Sequence, residues 1–470
     1  MSELSISQII FADSNIKWDE NRLKTYREFM ALYNDDYPNI QKILINRYTN
    51  KPFKEKSFER IVIQHHDIIQ KTLNRLTAGI YDQQPKRELY KGETIFEELN
   101  EILEQVGFHQ KMYESFHKAS FVNLVEFYPA MRENEIAIDI LTPESFLIQT
   151  SPLNYLKQEK LLLFRTDENN ELYSIYWDKE SHYKYSPLGD KLPIDNNEEM
   201  INPYKVLPLE LLRMREGSNF WGQPDWNLFL NQLAIDIKIT SMDIAEFFQR
   251  IGILHGVNTK IADGTVISPF DLLQSESKIP SEQVSLQYIN SGVNFESWKD
   301  GIDWRIGSTL RSKGIVGSSA SIDSQPTSGY SKEMDERSLK EERDKVINLL
   351  TDYEKRCFNV FRKVWNYHIE TGDIKGVMIP EDYEFYVEFH EYEPTLQPID
   401  KKIKREMQKQ YFIKDEVDFV MEDLGLTEEE ATEHITARKQ RMKELGLNTG
   451  VIAEPPKVLS LRDRLLNATA

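Results

Sequence analysis

Two segments, 225–251 and 332–370, keep apolar residues at helical spacing far beyond the roughly three turns usual for a globular helix. In the first, Trp226, Leu230, Leu233, Ile237, Ile244, Phe248 and Ile251 form one stripe, and Leu228, Ile235, Ile239 and Met242 form a second. Asn231, Asp236, Asp243, Glu246 and Arg250 fall between the stripes. Such a helix is about 40 Å long, and two stripes demand two packing partners. Pro224 and Asp225 suit its start. In the second segment Val346, Leu350, Tyr353, Cys357, Phe361 and Val364 hold the same rhythm along a rod of about 58 Å. Ser331 can cap that rod, Glu333, Asp335 and Glu336 suit its dipole, and Gly372 can end it.

What lies between the rods is of a different texture. Residues 253–290 read as a small mixed insertion with the turn "ADG", and 294–313 (Phe295, Trp298, Ile302, Ile306, Leu310) as a second helix. The stretch "GIVGSSASIDSQPTSGYSKEMDER" follows. Unstructured loops above ~12–15 residues are uncommon and often functional, so 316–331 is expected to serve a purpose beyond connection.

The remaining pattern predicts an α+β chain. Helical spacing marks 17–34, 58–81 and 95–118. From 122 to 187 the runs "NLVEFYPAM", "EIAIDIL", "SFLIQTS", "KLLLFRT", "LYSIYWD" and "SHYKYSP" read as antiparallel strands, with turns at Asn134, Asn169, Asn170 and Gly189. "YKVLPLELLRM" (204–214) adds one more, placed at an edge or bulge by Pro208. In 383–394, Phe385, Val387 and Phe389 alternate with polar residues, predicting a lone strand that returns to the 122–187 sheet. Helices are predicted at 400–411, 414–424 and 428–445, the last opened by a capping box of Thr427 and Glu430.

Charge and composition narrow the function classes. The formal net charge of −19 argues against a sequence-reading nucleic-acid binder. It is compatible with a protein that surrounds DNA without gripping it, since each cation–phosphate contact adds affinity. Cys357 is the single cysteine, which excludes an intrachain disulfide or a cysteine zinc site and fits a reducing compartment. No apolar run approaches the ~20 residues that span a bilayer. The first residues lack the basic and apolar regions of a secretory signal, so none is expected there.

Chemical motifs are sparse. There is no GxxxxGK[ST] loop, and "GIVGSSAS" lacks the lysine that would complete a phosphate site. His65 and His66 in "QHHD" point about 100° apart on a helix and read as packed or solvated rather than metal-bound. Cys357 sits on an apolar stripe and reads as core. Neither a catalytic group, a metal nor a cofactor is expected. Arg305, Arg311, Lys313 and Lys332 flank the long loop. They are either surface charge paired with Glu333, Asp335 and Glu336, or a ring of cations facing a polyanion.

The order of elements resembles that of the portal proteins of tailed bacteriophages. "SFERIVIQHHDIIQKTLNRLTAGIYDQQP" resembles the helix before the family's wing sheet, and "ASFVNLVEFYPAM" the first strands of that sheet. "SNFWGQPDWNLFLNQLAIDI" resembles the entry to its stem helix. "FHEYEPTLQPIDKKIKREMQKQYFIKDEVDFVMEDLGLTEEEATEHITARKQ" resembles its closing strand and crown. The likeness covers about 20–445 and rests on order rather than on a catalytic signature.

The resemblance implies a portal fold. A wing with N-terminal helices (1–224) is followed by a stem helix (225–252), a small α/β clip (253–290) and a second stem helix (291–315). A tunnel loop (316–331), a long helix (332–372), a returning wing strand (373–397), a helical crown (398–447) and a flexible tail (448–470) complete it. It implies a ring, usually of twelve copies, at one capsid vertex of the virion, assembled in the host cytoplasm. Double-stranded DNA passes through that ring non-specifically. The implied partners are further copies of the chain, the terminase packaging motor, major capsid and scaffolding proteins and a head-completion adaptor, with no membrane. Gly317, Ser318, Ser319, Ser321, Gln325, Ser328 and Gly329 would face the DNA, their small size letting identical copies take different positions. Arg311, Lys313 and Lys332 would be the cationic channel residues. The competing readings are a nucleic-acid-processing enzyme, which needs a carboxylate cluster or phosphate loop, and a monomeric scaffolding or adaptor protein.

Overall fold

A computed structural model of the chain describes residues 19–48, 63–166, 172–186, 189–194, 197–251, 253–257, 273–275, 285–289, 294–315, 329–390, 405–406, 408–410, 414–424 and 427–444. The chain divides into two units, Met1–Pro394 and Thr395–Ala470. The class is α+β.

In the first unit, α1 (Glu20–Tyr33) and α2 (Tyr37–Tyr48) form a hairpin, and α3 (Ile68–Tyr81) follows. Strands β1 (Lys86–Lys91) and β2 (Thr94–Ile95) precede α4 (Leu99–Gln105) and α5 (Phe108–Val122). Caps explain two of these starts. The Arg22 N–H donates to Asp19 and the Gln70 N–H to Asp67, at 3.0 and 2.8 Å. Helix α3 therefore starts at Ile68, and His65 and His66 precede it. Phe58 and Ile61 lie outside the described residues. The helical spacing over 95–118 resolves into two helices, because Gly107 takes a left-handed φ of +61° that ends α4.

The strand-rich region makes two sheets. Strands β3 (Leu124–Arg132) and β4 (Glu135–Leu141) form a hairpin whose turn residues Glu133 and Asn134 both have positive φ, matching the twist of a tight two-residue turn. Strands β5 (Phe146–Ser151), β6 (Asn154–Thr166), β7 (Leu172–Trp177), β8 (His182–Tyr185) and β9 (Lys191–Leu192) pair in sequence order. Strand β10 (Glu210–Arg213) is shorter than the predicted run 204–214, begins after Pro208, and takes the edge position beside β3.

Helix α6 (Trp226–Ile251) leads to strands β11 (Ile253–Val257), β12 (Leu273–Ser275) and β13 (Ser285–Ile289), a sheet with one parallel and one antiparallel pairing. Helix α7 (Phe295–Arg311) is capped by Asn294. Helix α8 (Gly329–Thr371) runs for 43 residues, about 65 Å. It begins at Gly329, so Ser331 and Lys332 lie within it and Ser331 is not its cap. It ends as expected at Gly372, whose φ is +76°.

Strand β14 (Glu384–Glu388) returns, but to β1 and not to the strands of 122–187. Its inward residues Phe385 and Val387 join Leu89 in the main core, and the Phe385 ring stacks on Phe358 of α8 at 4.0 Å. That core gathers α1 to α6, β3, β4 and α8 around Phe29, Phe108, Phe121, Phe127, Phe229 and Trp365, all buried. Cys357 is buried within it, and burial raises its thiol pKa.

The second unit contains α9 (Glu416–Leu424) and α10 (Glu428–Glu444), with Phe419 and Ala431 buried. Glu430 accepts from the Thr427 N–H at 3.0 Å, as the capping-box pattern predicts. Of the predicted helix 400–411, residues 405, 406 and 408–410 are described, all helical, and 448–470 lies outside the described residues.

Candidate functional site

The antiparallel pair α6 and α7 is built from contacts at four levels. Asp225 meets Lys313 at the base, and the Arg305 guanidinium donates to the Asn231 side-chain Oδ1 at 3.0 Å. Lys238 approaches the carbonyl of Gly301 at 3.5 Å, and Ser241 and Ser297 line one groove. Ile302, Ile306 and Leu310, spaced by four, close on Ile235, Ile239 and Met242 of α6 and on Ile68 of α3.

This arrangement assigns the two stripes of α6. Ile235, Ile239 and Met242 face α7, while Trp226, Leu228, Phe229, Leu233 and Ile237 face the main core. Over 226–242 every residue of the two stripes except Leu230 therefore packs within the chain. The apolar surface left over is Leu230 of the first stripe, 49% exposed, and Trp304 of α7, 66% exposed. Trp298, partly exposed, borders a groove of about 320 Å³ with Ile237, Lys238, Ser241, Gly301 and Ile302.

Asp225 closes the base. One carboxylate oxygen accepts from the Leu228 N–H at 3.1 Å and caps α6. The other receives the Arg215 guanidinium at 2.8 Å and the Lys313 ammonium. Burial alone would raise this carboxyl's pKa, but Lys313, Arg215 and the Leu228 N–H together hold it below the usual range. Lys313, expected as a channel cation, is thus occupied in joining the end of α7 to the start of α6. Arg311, two residues earlier at the end of α7, is exposed. Lys332 lies in the first turn of α8, and nothing is described of its side chain. Gly317, Ser318, Ser319, Ser321, Gln325 and Ser328 lie outside the described residues, and Gly329 is the first residue of α8.

A second polar junction lies higher on α6, and of its residues the sequence pattern singled out only Asp236, between the two stripes. Gln232, Asp236 and Thr240, spaced by four, are buried and bind the segment before α3. Gln232 accepts from the Ile68 N–H at 2.9 Å and donates to the His66 carbonyl at 2.7 Å. Thr240 accepts from the Gln64 N–H at 3.0 Å, and Asp236 from the His66 N–H at 3.1 Å. His65 bonds Asp236 through Nδ1 at 2.8 Å, so it is a packed histidine. The only available signal was that polar residues at steps of four interrupt an otherwise apolar helix. Among the described residues no group of three or more His, Cys, Asp or Glu could hold a metal ion. Likewise, no described helix is long and apolar enough to cross a membrane.

No protein-family model matches the chain, and no curated protein sequence matches it.

Proposed function

We propose that this chain is the subunit of a portal ring, through which double-stranded DNA is packaged into and ejected from the capsid of a tailed bacteriophage. One observation carries the reading. A long antiparallel helix pair, fastened at its base to an α+β body by Asp225, brackets a separate three-stranded sheet. In that arrangement α6 and α7 are the stem, 253–290 the clip, and 316–328 the tunnel loop, which is followed by the long helix α8. The portal fold, the virion location and the non-enzymatic role belong to this reading. So do the partners: a motor, an adaptor, capsid and scaffolding proteins, and further copies of the chain.

The exposed Trp304 and Leu230 supply apolar surface for a neighbouring subunit, in a head-to-tail interface that closes a ring. The formal charge of −19 per copy favours a channel that binds duplex weakly, with affinity lost above ~200 mM salt.

The test is in vitro packaging with a chain lacking 263–285. Rings should persist while motor docking and packaging fail. Normal packaging without that segment would overturn the clip assignment.

A further inference from the structure

Three elements converge on His65. Its Nδ1 lies 2.8 Å from Oδ2 of Asp236 on α6. Its Nε2 lies 3.3 Å from Oδ1 of Asp35 in the turn between α1 and α2, at an angle too bent for a hydrogen bond. The imidazole is nearly closed from solvent and the Asp236 carboxylate fully so, whereas Asp35 is 63% exposed. The charged groups facing the ring are Asp236 from α6, Asp35 from the α1–α2 turn and Asp67 from its own segment. All three are carboxylates.

A neutral imidazole has one N–H. Donating it to Asp236 leaves the Nε2 lone pair facing the Asp35 carboxylate, which is repulsive. Only the imidazolium attracts both. We propose that residues 63–67 form a proton-operated latch in which charged His65 draws the α1–α2 turn and helix α6 together, and loss of the Nε2 proton to solvent past Asp35 releases the turn. The segment itself stays threaded on α6 by Gln232, Asp236 and Thr240, and the Tyr37 hydroxyl still donates to the Ile63 carbonyl at 2.8 Å. The movable contact is the one at Asp35.

The electrostatics agree with the geometry. Burial alone would lower the imidazole's pKa, but Asp236, then Asp35 and Asp67, outweigh it and hold it above the ordinary value. A raised folded-state value means that the latch contributes fully below about pH 6.5, the value of a free histidine. That contribution is lost as pH rises through the higher folded-state value.

The experiment is hydrogen exchange by mass spectrometry on the full chain from pH 6 to pH 9, corrected for intrinsic exchange, reading a peptide over the α1–α2 turn, residues 34–40, with 63–69 as the segment that stays protected. It reads monomers and assemblies alike, so its outcome is independent of ring formation. Protection of the turn should fall severalfold as pH rises across that range. Asp35→Asn changes an exposed residue with φ +54°, a conformation asparagine tolerates, and should keep the fold. It should move the midpoint of the loss to lower pH. His65→Gln should give low protection at every pH. Flat protection in the wild-type chain, or an unchanged midpoint in Asp35→Asn, would overturn the latch.

Discussion

Arg87 of β1 and Glu354 of α8 form a doubly hydrogen-bonded ion pair at 2.7 and 3.0 Å, with both side chains buried and the two residues 267 positions apart in sequence. The Tyr81 hydroxyl donates to the same carboxylate at 2.9 Å. Glu354→Ala leaves the Arg87 charge buried without a partner, an error that costs about 3–5 kcal/mol. Thermal unfolding should show a large fall in midpoint. Glu354→Gln keeps the shape but loses the charge, and should lie between wild type and the alanine variant.

The Asp225 clamp makes a pH prediction. Its folded-state pKa is depressed, so its contribution is present above the unfolded carboxylate value of about 3.9 and is lost as pH falls through the folded value. Unfolding midpoints measured from pH 2 to pH 6 should therefore drop more steeply in wild type than in Asp225→Asn, which retains the cap without the charge. At pH 7, Asp225→Ala should cost about 1–3 kcal/mol, from the lost cap and charged hydrogen bonds. Parallel acid limbs for wild type and Asp225→Asn would contradict this account.

The legible parts of the fold are those that local chemistry dictates. Helices α6 and α7 were readable from spacing and, for α6, from Pro224 and Asp225; the end of α8 was readable from Gly372. The β3–β4 turn was readable from Asn134. Strand β1, "KRELYK", was not, because one of its inward residues is a charged arginine whose partner is 267 residues away. With β1 hidden, β14 was assigned to the wrong sheet. The site failed in the same way. Asp236 and Gln232 look like surface residues on a helix until the segment 64–69 is placed against them. Their burial is a tertiary fact, and no spacing rule contains it.

Trp304 tests the apolar surface of the helix pair. It lies on the face of α7 opposite the packing row Ile302, Ile306 and Leu310, and is 66% exposed. Trp304→Glu should leave the circular dichroism and unfolding midpoint of the subunit within about 0.5 kcal/mol of wild type, as surface changes do. It should weaken assembly, because a charge would enter a desolvated contact. Undiminished assembly would remove Trp304 from the interface.

The most direct measurement is imaging of the purified chain by negative-stain electron microscopy, with scattering mass on the same sample. The account predicts closed rings of one size with a central hole, whose mass is an integral multiple of the 55.3 kDa subunit and most simply twelve copies. A stable monomer at micromolar concentration, with no rings even on co-expression with capsid protein, would contradict it.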